Sequence, residues 1–214
     1  MKLDSLNRAE AIRYLGDAKV EMNDSMQHLL DECEAEVLQN ADPKYLTKVI
    51  DLPCEPLMQG HDIQGHLAGC GRAVLMCCTL GGGIDRMLRK AQVTDMSKAV
   101  VLDVLSSVAV EQVGVKVDQI LKERYPDQFF TFRFSPGYGD LPISLQKWFL
   151  NELDAPKRIG LMTNDQYLLT PTKSITAVSG MSDKPIERKR RGCVVCNLRG
   201  TCRFRKVGAH CGGL

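Results

Sequence analysis

The stretch from Asp95 to Arg124 limits the fold more than any other. Met96, Ala99, Val100, Leu102, Val104, Leu105, Val108 and Ala109 leave few polar positions in its first half, so the pattern predicts a long helix buried on more than one side. A helix of that kind needs partners on several faces, which 214 residues with 44% hydrophobic content can supply as one large domain or one domain with an appendage. Its Glu111 sits at the edge of the apolar run, and Asp103 lies two turns earlier. A carboxylate there costs free energy unless it is paired or solvated. Glu111 is therefore a ligand candidate, with an exposed helix face as the alternative.

The segments around this helix set the fold class. The first forty residues read as helix, with Val20, Met22, Met26, Leu29, Leu30, Cys33, Val37 and Leu38 at roughly helical spacing before Asp42-Pro43. Tyr45 to Leu52 reads as a short strand, and Pro53, Pro56 and four glycines then predict a loop. Arg72 to Leu80 is a continuous apolar run of strand length feeding a helix from near Ile84. The Gly81-Gly82-Gly83 turn between them lacks the spacing of a nucleotide loop. Phe129 to Phe134 alternates like a half-buried strand, the following Ser-Pro-Gly-Tyr-Gly-Asp-Leu-Pro is an irregular loop, and Ile143 to Leu153 is helical. Arg158 to Met162, Tyr167 to Leu169 and Ser174 to Ser179 complete an antiparallel set, with a turn at Asn164-Asp165. Together they predict an α+β domain of long helices packed on a twisted antiparallel sheet.

Charge divides the chain. Residues 184–214 hold nine basic residues and one Glu, or +8, against nineteen basic and twenty-five acidic residues, or −6, in residues 1–183. The expected organisation is a domain over 1–183 and a basic, cysteine-rich tail over 184–214. The N-terminus shows no secretory pattern and no apolar stretch approaches the roughly 20 residues that cross a bilayer, so the expected place is the cytoplasm, with no membrane association. Thiols stay reduced there. Cys33, Cys54, Cys70, Cys77 and Cys78 then read as small buried hydrophobes, and His28, His61, His66 and His210 as structural or solvent-facing. Cys193, Cys196, Cys202 and Cys211 are spaced by two, five and eight residues. A Cys-x-x-Cys pair can present both sulfurs to one metal, and the four cysteines together are read as a metal site, either zinc or a [4Fe-4S] cluster.

Three segments in order carry a resemblance. Arg133-Phe-Ser-Pro-Gly-Tyr-Gly-Asp140 resembles the Arg-x-x-Pro-Gly-Tyr segment of the activation domain of cobalamin-dependent methionine synthase. Thr170-Pro-Thr-Lys-Ser-Ile-Thr-Ala-Val-Ser-Gly180 is similar to that family's following strand, and the helix around Ser106 to Glu111 to its glutamate-bearing helix. After Gly180 the family has an aromatic pair where this chain has Met181, Ser182 and Asp183. The resemblance spans roughly residues 8 to 181 and implies an S-adenosylmethionine site formed by Glu111, Arg133, Ser135, Gly137 and Tyr138. It also implies a component of methionine synthase activity. That component reactivates cob(II)alamin, held by a corrinoid-binding methyltransferase or methionine synthase, using one electron from a donor such as flavodoxin or ferredoxin while the sulfonium methyl traps the product as methylcobalamin.

The residue chemistry suits that ligand. Arg133 offers a guanidinium fork for its carboxylate and Glu111 an anion for its ammonium. Pro136-Gly137 lets main chain approach closely, and Tyr138 offers an aromatic cover. No general acid or base is required, and no catalytic constellation is expected. A different reading keeps the chain a non-catalytic binding module whose basic zinc tail contacts nucleic acid or an acidic partner. Phe204 is the tail's one aromatic residue, which leaves no stacking platform for single strands and argues against nucleic acid.

Overall fold

The computed structural model describes residues 1–15, 23–186 and 200–201. Val20 and Met22 of the expected first helix, His210, and the four tail cysteines Cys193, Cys196, Cys202 and Cys211 lie outside the described residues. The described chain is a mixed helix and antiparallel-sheet fold.

In chain order the elements are α1 (Arg8–Tyr14), α2 (Asp24–Asn40), β1 (Lys44–Asp51), a 3-10 turn (Glu55–Met58), α3 (His61–Leu67) and β2 (Arg72–Thr79). They continue with α4 (Gly82–Thr94), α5 (Met96–Arg124), β3 (Phe129–Phe130), α6 (Leu145–Glu152), α7 (Ala155–Ile159), β4 (Met162–Thr163), β5 (Leu169–Thr170) and β6 (Ser174–Ser182). The main sheet runs β1-β2-β6-β3, with every neighbouring pair antiparallel. β4 and β5 form a separate hairpin. Its turn is fixed by Asn164, whose Oδ1 accepts from the amides of Gln166 at 3.0 Å and Leu168 at 2.9 Å.

β2 is covered on both faces. Val74, Met76 and Cys78 point into the core shared with α2, α4 and α5, while Ala73, Leu75 and Cys77 point into a second core with the 3-10 turn, α3, α6 and α7. That placement explains why the strand is continuously apolar rather than alternating. The long helix is there: α5 spans 29 residues and buries Leu102, Leu105, Ala109, Val113 and Val117. Asp95 both ends α4 and caps α5, accepting from the Lys98 amide at 3.0 Å. The N-terminal segment lies along α5, with Leu3 and Leu6 buried. Gln112 binds it by accepting from the Asn7 amide at 2.9 Å and donating to the Ser5 carbonyl at 3.1 Å. Buried Glu34 accepts from the Leu6 amide at 2.7 Å and from Arg8 Nε at 2.5 Å.

Four expectations need correction. The first forty residues contain two described helices, α1 and α2, each with an asparagine cap. The loop expected after Pro53 holds the 3-10 turn and α3, whose buried Ile63, His66 and Leu67 pay no heed to the glycines around them. The strand expected over Arg158 to Met162 is present only at Met162, where β4 begins: Pro156 sits in the first turn of α7, and Gly160, in the left-handed region at φ +69°, caps that helix. The strand expected over Phe129 to Phe134 is regular only at its start and touches β6 again through a Phe134–Val178 bridge.

Cys33, Cys77 and Cys78 are buried and Cys54 and Cys70 half-buried, all five as free thiols. Burial pushes the Cys77 and Cys78 thiols up to about 12 and Cys33 up to about 11. His66 is a packed histidine whose Nε2 lies 2.9 Å from the Phe132 carbonyl and 2.8 Å from Thr131 Oγ1. His28 and His61 are exposed. Among the described residues, no helix is long and apolar enough to cross a membrane.

Candidate functional site

Arg133 immediately precedes the Phe134–Val178 bridge to β6 and reaches across to α5. Its Nη2 is 3.2 Å from Glu111 Oε2 and its Nε is 3.2 Å from Asp118 Oδ2. The guanidinium passes over Gly114 so closely that a Cβ there would overlap Arg133 Nη1 and come 2.8 Å from Cζ. Positions 111, 114 and 118 follow one another at spacings of three and four, which puts them on one side of the helix. A glycine inside a helix costs about 1 kcal/mol relative to alanine; here it makes room for the arginine. The Arg133 side chain is 19% exposed, against 53% for Glu111 and 34% for Asp118. One cation thus serves two carboxylates at the border of solvent. Tyr14 of α1 belongs to the same neighbourhood: desolvation first, then its hydrogen bond to Glu10, and more weakly the charge of Glu111, raise its hydroxyl above the ordinary value.

The chain turns directly after this arginine. Phe134 exchanges both backbone hydrogen bonds with Val178 at 2.9 Å, anchoring the entry. Ser135 is half-buried and its carbonyl accepts from the Tyr138 amide at 3.0 Å. The Gly137 amide donates to the Leu141 carbonyl at 2.8 Å, and the Leu141 amide donates to the Tyr138 carbonyl at 3.0 Å. Gly137 has φ +90° and Gly139 φ +52°, which this tight turn requires. Tyr138 is 62% exposed and Leu141 buried, so the turn holds up an aromatic ring while rooted at both ends. Asp140 reaches away to α3, accepting from the Asp62 amide at 2.9 Å.

Glu111 and Arg133 are therefore in direct contact, and Ser135, Gly137 and Tyr138 follow from Arg133 in one turn. The positions after Gly180 have internal duties. Met181 is buried opposite Phe130, and Asp183 accepts from Gln128 Nε2 at 2.6 Å. Asp103 pairs with Lys173 at 2.7 Å and stands apart from the arginine cluster. Asp118 and Gly114 are not among the residues the sequence singles out, and Asp140 enters there only as the end of the Arg133–Asp140 motif. The i+3 and i+7 spacing from Glu111 was a usable signal for the first two once Arg133 was known to cross α5. Among the described residues no group of three or more His, Cys, Asp or Glu is placed to hold a metal ion.

No protein-family model matches the chain, and no curated protein matches it. Among solved structures it is similar to the crystal structure of the MetH reactivation domain bound to AdoHcy, with a TM-score of 0.58 and 13% identity over 81% of this chain and 70% of that one. The chain has the fold of the MetH reactivation domain. Within that fold, α5 supplies the carboxylates and the segment after β3 supplies Arg133 and the turn.

Proposed function

We propose that this chain binds S-adenosylmethionine at the Arg133 cluster and the turn over residues 135–141, and offers its methyl group to the corrinoid of a separate methyltransferase or methionine synthase. The observation that carries the reading is the contact between Arg133 and Glu111 beside a glycine-bent turn, in a chain whose fold is shared with a domain crystallised with AdoHcy. The donor set fits the ligand. Two carboxylates suit an ammonium and a sulfonium, and the guanidinium retains N–H groups beyond the two engaged by Glu111 and Asp118 with which to meet a carboxylate. The left-handed Gly137 lets main chain approach a nucleoside, and the exposed Tyr138 ring can lie against it.

In this reading the sulfonium supplies the methyl group, its carbon–sulfur bond breaking with the electron pair left on sulfur, and departs as S-adenosylhomocysteine. The required electron comes from an outside donor such as flavodoxin or ferredoxin. The protein's own part is to bind and orient, which places the sulfonium methyl for attack without acid or base chemistry. The four tail cysteines are read as a zinc or [4Fe-4S] site, to be decided by metal and sulfide analysis of anaerobically prepared protein.

Calorimetry is the direct test. S-adenosylmethionine should bind the wild-type chain, S-adenosylhomocysteine should compete, and Arg133→Ala should weaken binding by about 1.5 to 3 kcal/mol through loss of charged hydrogen bonds. Absence of heat and of competition with the wild type would sink the proposal.

A further inference from the structure

Gly60 is the N-cap of α3 and gives it no side-chain cap. The amides of that first turn are instead met from outside. Asp140, at the far end of the ligand turn, accepts from the Asp62 amide at 2.9 Å. Its carboxyl is held below the ordinary aspartate value, first by that hydrogen bond and also by the amides of His61 and Ile63, against the opposing effect of desolvation. Two glycines make the approach possible. A Cβ on Gly60 would overlap Asp140 Oδ1 and Cγ, and a Cβ on Gly139 would fall 2.6 Å from Asp62 Oδ2. Each segment thus gives up a side chain where the other's carboxylate stands. α3 itself is fixed to the sheet through buried Ile63 and Leu67.

We infer that Asp140 is the positioning residue of the ligand turn: by tying the exposed tip to the amino end of α3, it decides where Tyr138 stands. This rests on the reading that S-adenosylmethionine binds at that turn. Phe134 and Leu141 root the turn at its two ends, but the 137–140 tip projects into solvent. Without the tie, the tip samples more conformations, and ordering it is charged against ligand binding. Asp140 touches no ligand in this account. It acts through Tyr138.

The experiment is a double-mutant cycle on the full chain, read as the dissociation constant of S-adenosylmethionine by calorimetry. Asp140→Ala should weaken binding about tenfold and Asp140→Asn, which keeps a neutral acceptor, about threefold. In a Tyr138→Ala background the Asp140→Ala cost should fall below about twofold, because the residue it positions is gone. A purely structural role predicts the same cost in both backgrounds, and that result overturns the inference. So does wild-type affinity in both Asp140 variants, or in Tyr138→Ala alone. Lack of binding by the wild type would instead remove the underlying reading. Should Asp140→Ala fold poorly, Asp140→Asn in the two backgrounds decides.

Discussion

The two sides of the sheet bury their apolar residues by different means. On one side a single helix of 29 residues, α5, runs through the core with α2 and α4 against it. On the other, the cover is assembled from the 3-10 turn, α3, α6 and α7, none longer than the eight residues of α6. The first side places charges at helical spacing on a rigid rod, and so holds Glu111 and Asp118 about one arginine. The second provides backbone that bends, and so supplies a turn with two left-handed glycines and an exposed tyrosine. The candidate site needs both: fixed charge from the regular side and close backbone approach from the irregular one.

That contrast can be broken or sharpened by substitution. The largest effects belong to the two cores. Leu102→Ala on the α5 side and Phe149→Ala on the α3 side, both fully buried, should each cost about 3 to 5 kcal/mol in urea unfolding. A single transition by fluorescence and circular dichroism in both variants would mean that the two sides unfold as one unit. Two separate transitions would mean that the shorter pieces open alone.

Gly114→Ala should act on the site rather than on stability. The new methyl group displaces Arg133, which should weaken S-adenosylmethionine binding about tenfold, while the helix gains up to about 1 kcal/mol in propensity. An unfolding midpoint that drops together with the affinity would show that the arginine also braces the fold. The smallest effect is expected from Lys98→Met, which removes contacts to Glu32 at 2.6 Å and Glu36 at 2.9 Å between α5 and α2. Glu32 is 52% exposed and Glu36 32%, so the loss should stay under about 1 kcal/mol and shrink further in salt.

The regular side was the legible one. An apolar run as dense as that from Met96 to Ala109 has few outcomes besides a helix with several neighbours, and the unbroken Arg72 to Leu80 run similarly announced a strand covered twice. Short pieces carry less pattern than the contacts that stabilise them. α3 was hidden among glycines, and Arg158 to Met162 looked extended because neither Pro156 as a helix start nor Gly160 as a helix stop stands out without its dihedral. In the site, the resemblance led to Glu111 and Arg133, whose pairing is local to the place where the chain after β3 meets α5. Asp118 and Gly114 depend on where along α5 that meeting falls. Asp140 depends on the approach of α3 from far upstream, which periodicity does not encode.

The central position of β2 also bears on how the chain reaches its folded state. β1 pairs with it along its whole length soon after it is made, but its other neighbour, β6, arrives only after α4, α5 and the turn over residues 135–141 have been synthesised. Until Ser174 to Ser182 docks, the run Val74-Leu-Met-Cys-Cys78 offers an open, apolar strand edge, the kind of template on which chains associate. Pairings this remote in sequence are slow to close. Nascent or truncated chains that stop short of β6 should therefore be clients for chaperones, and yield on refolding should fall as protein concentration rises.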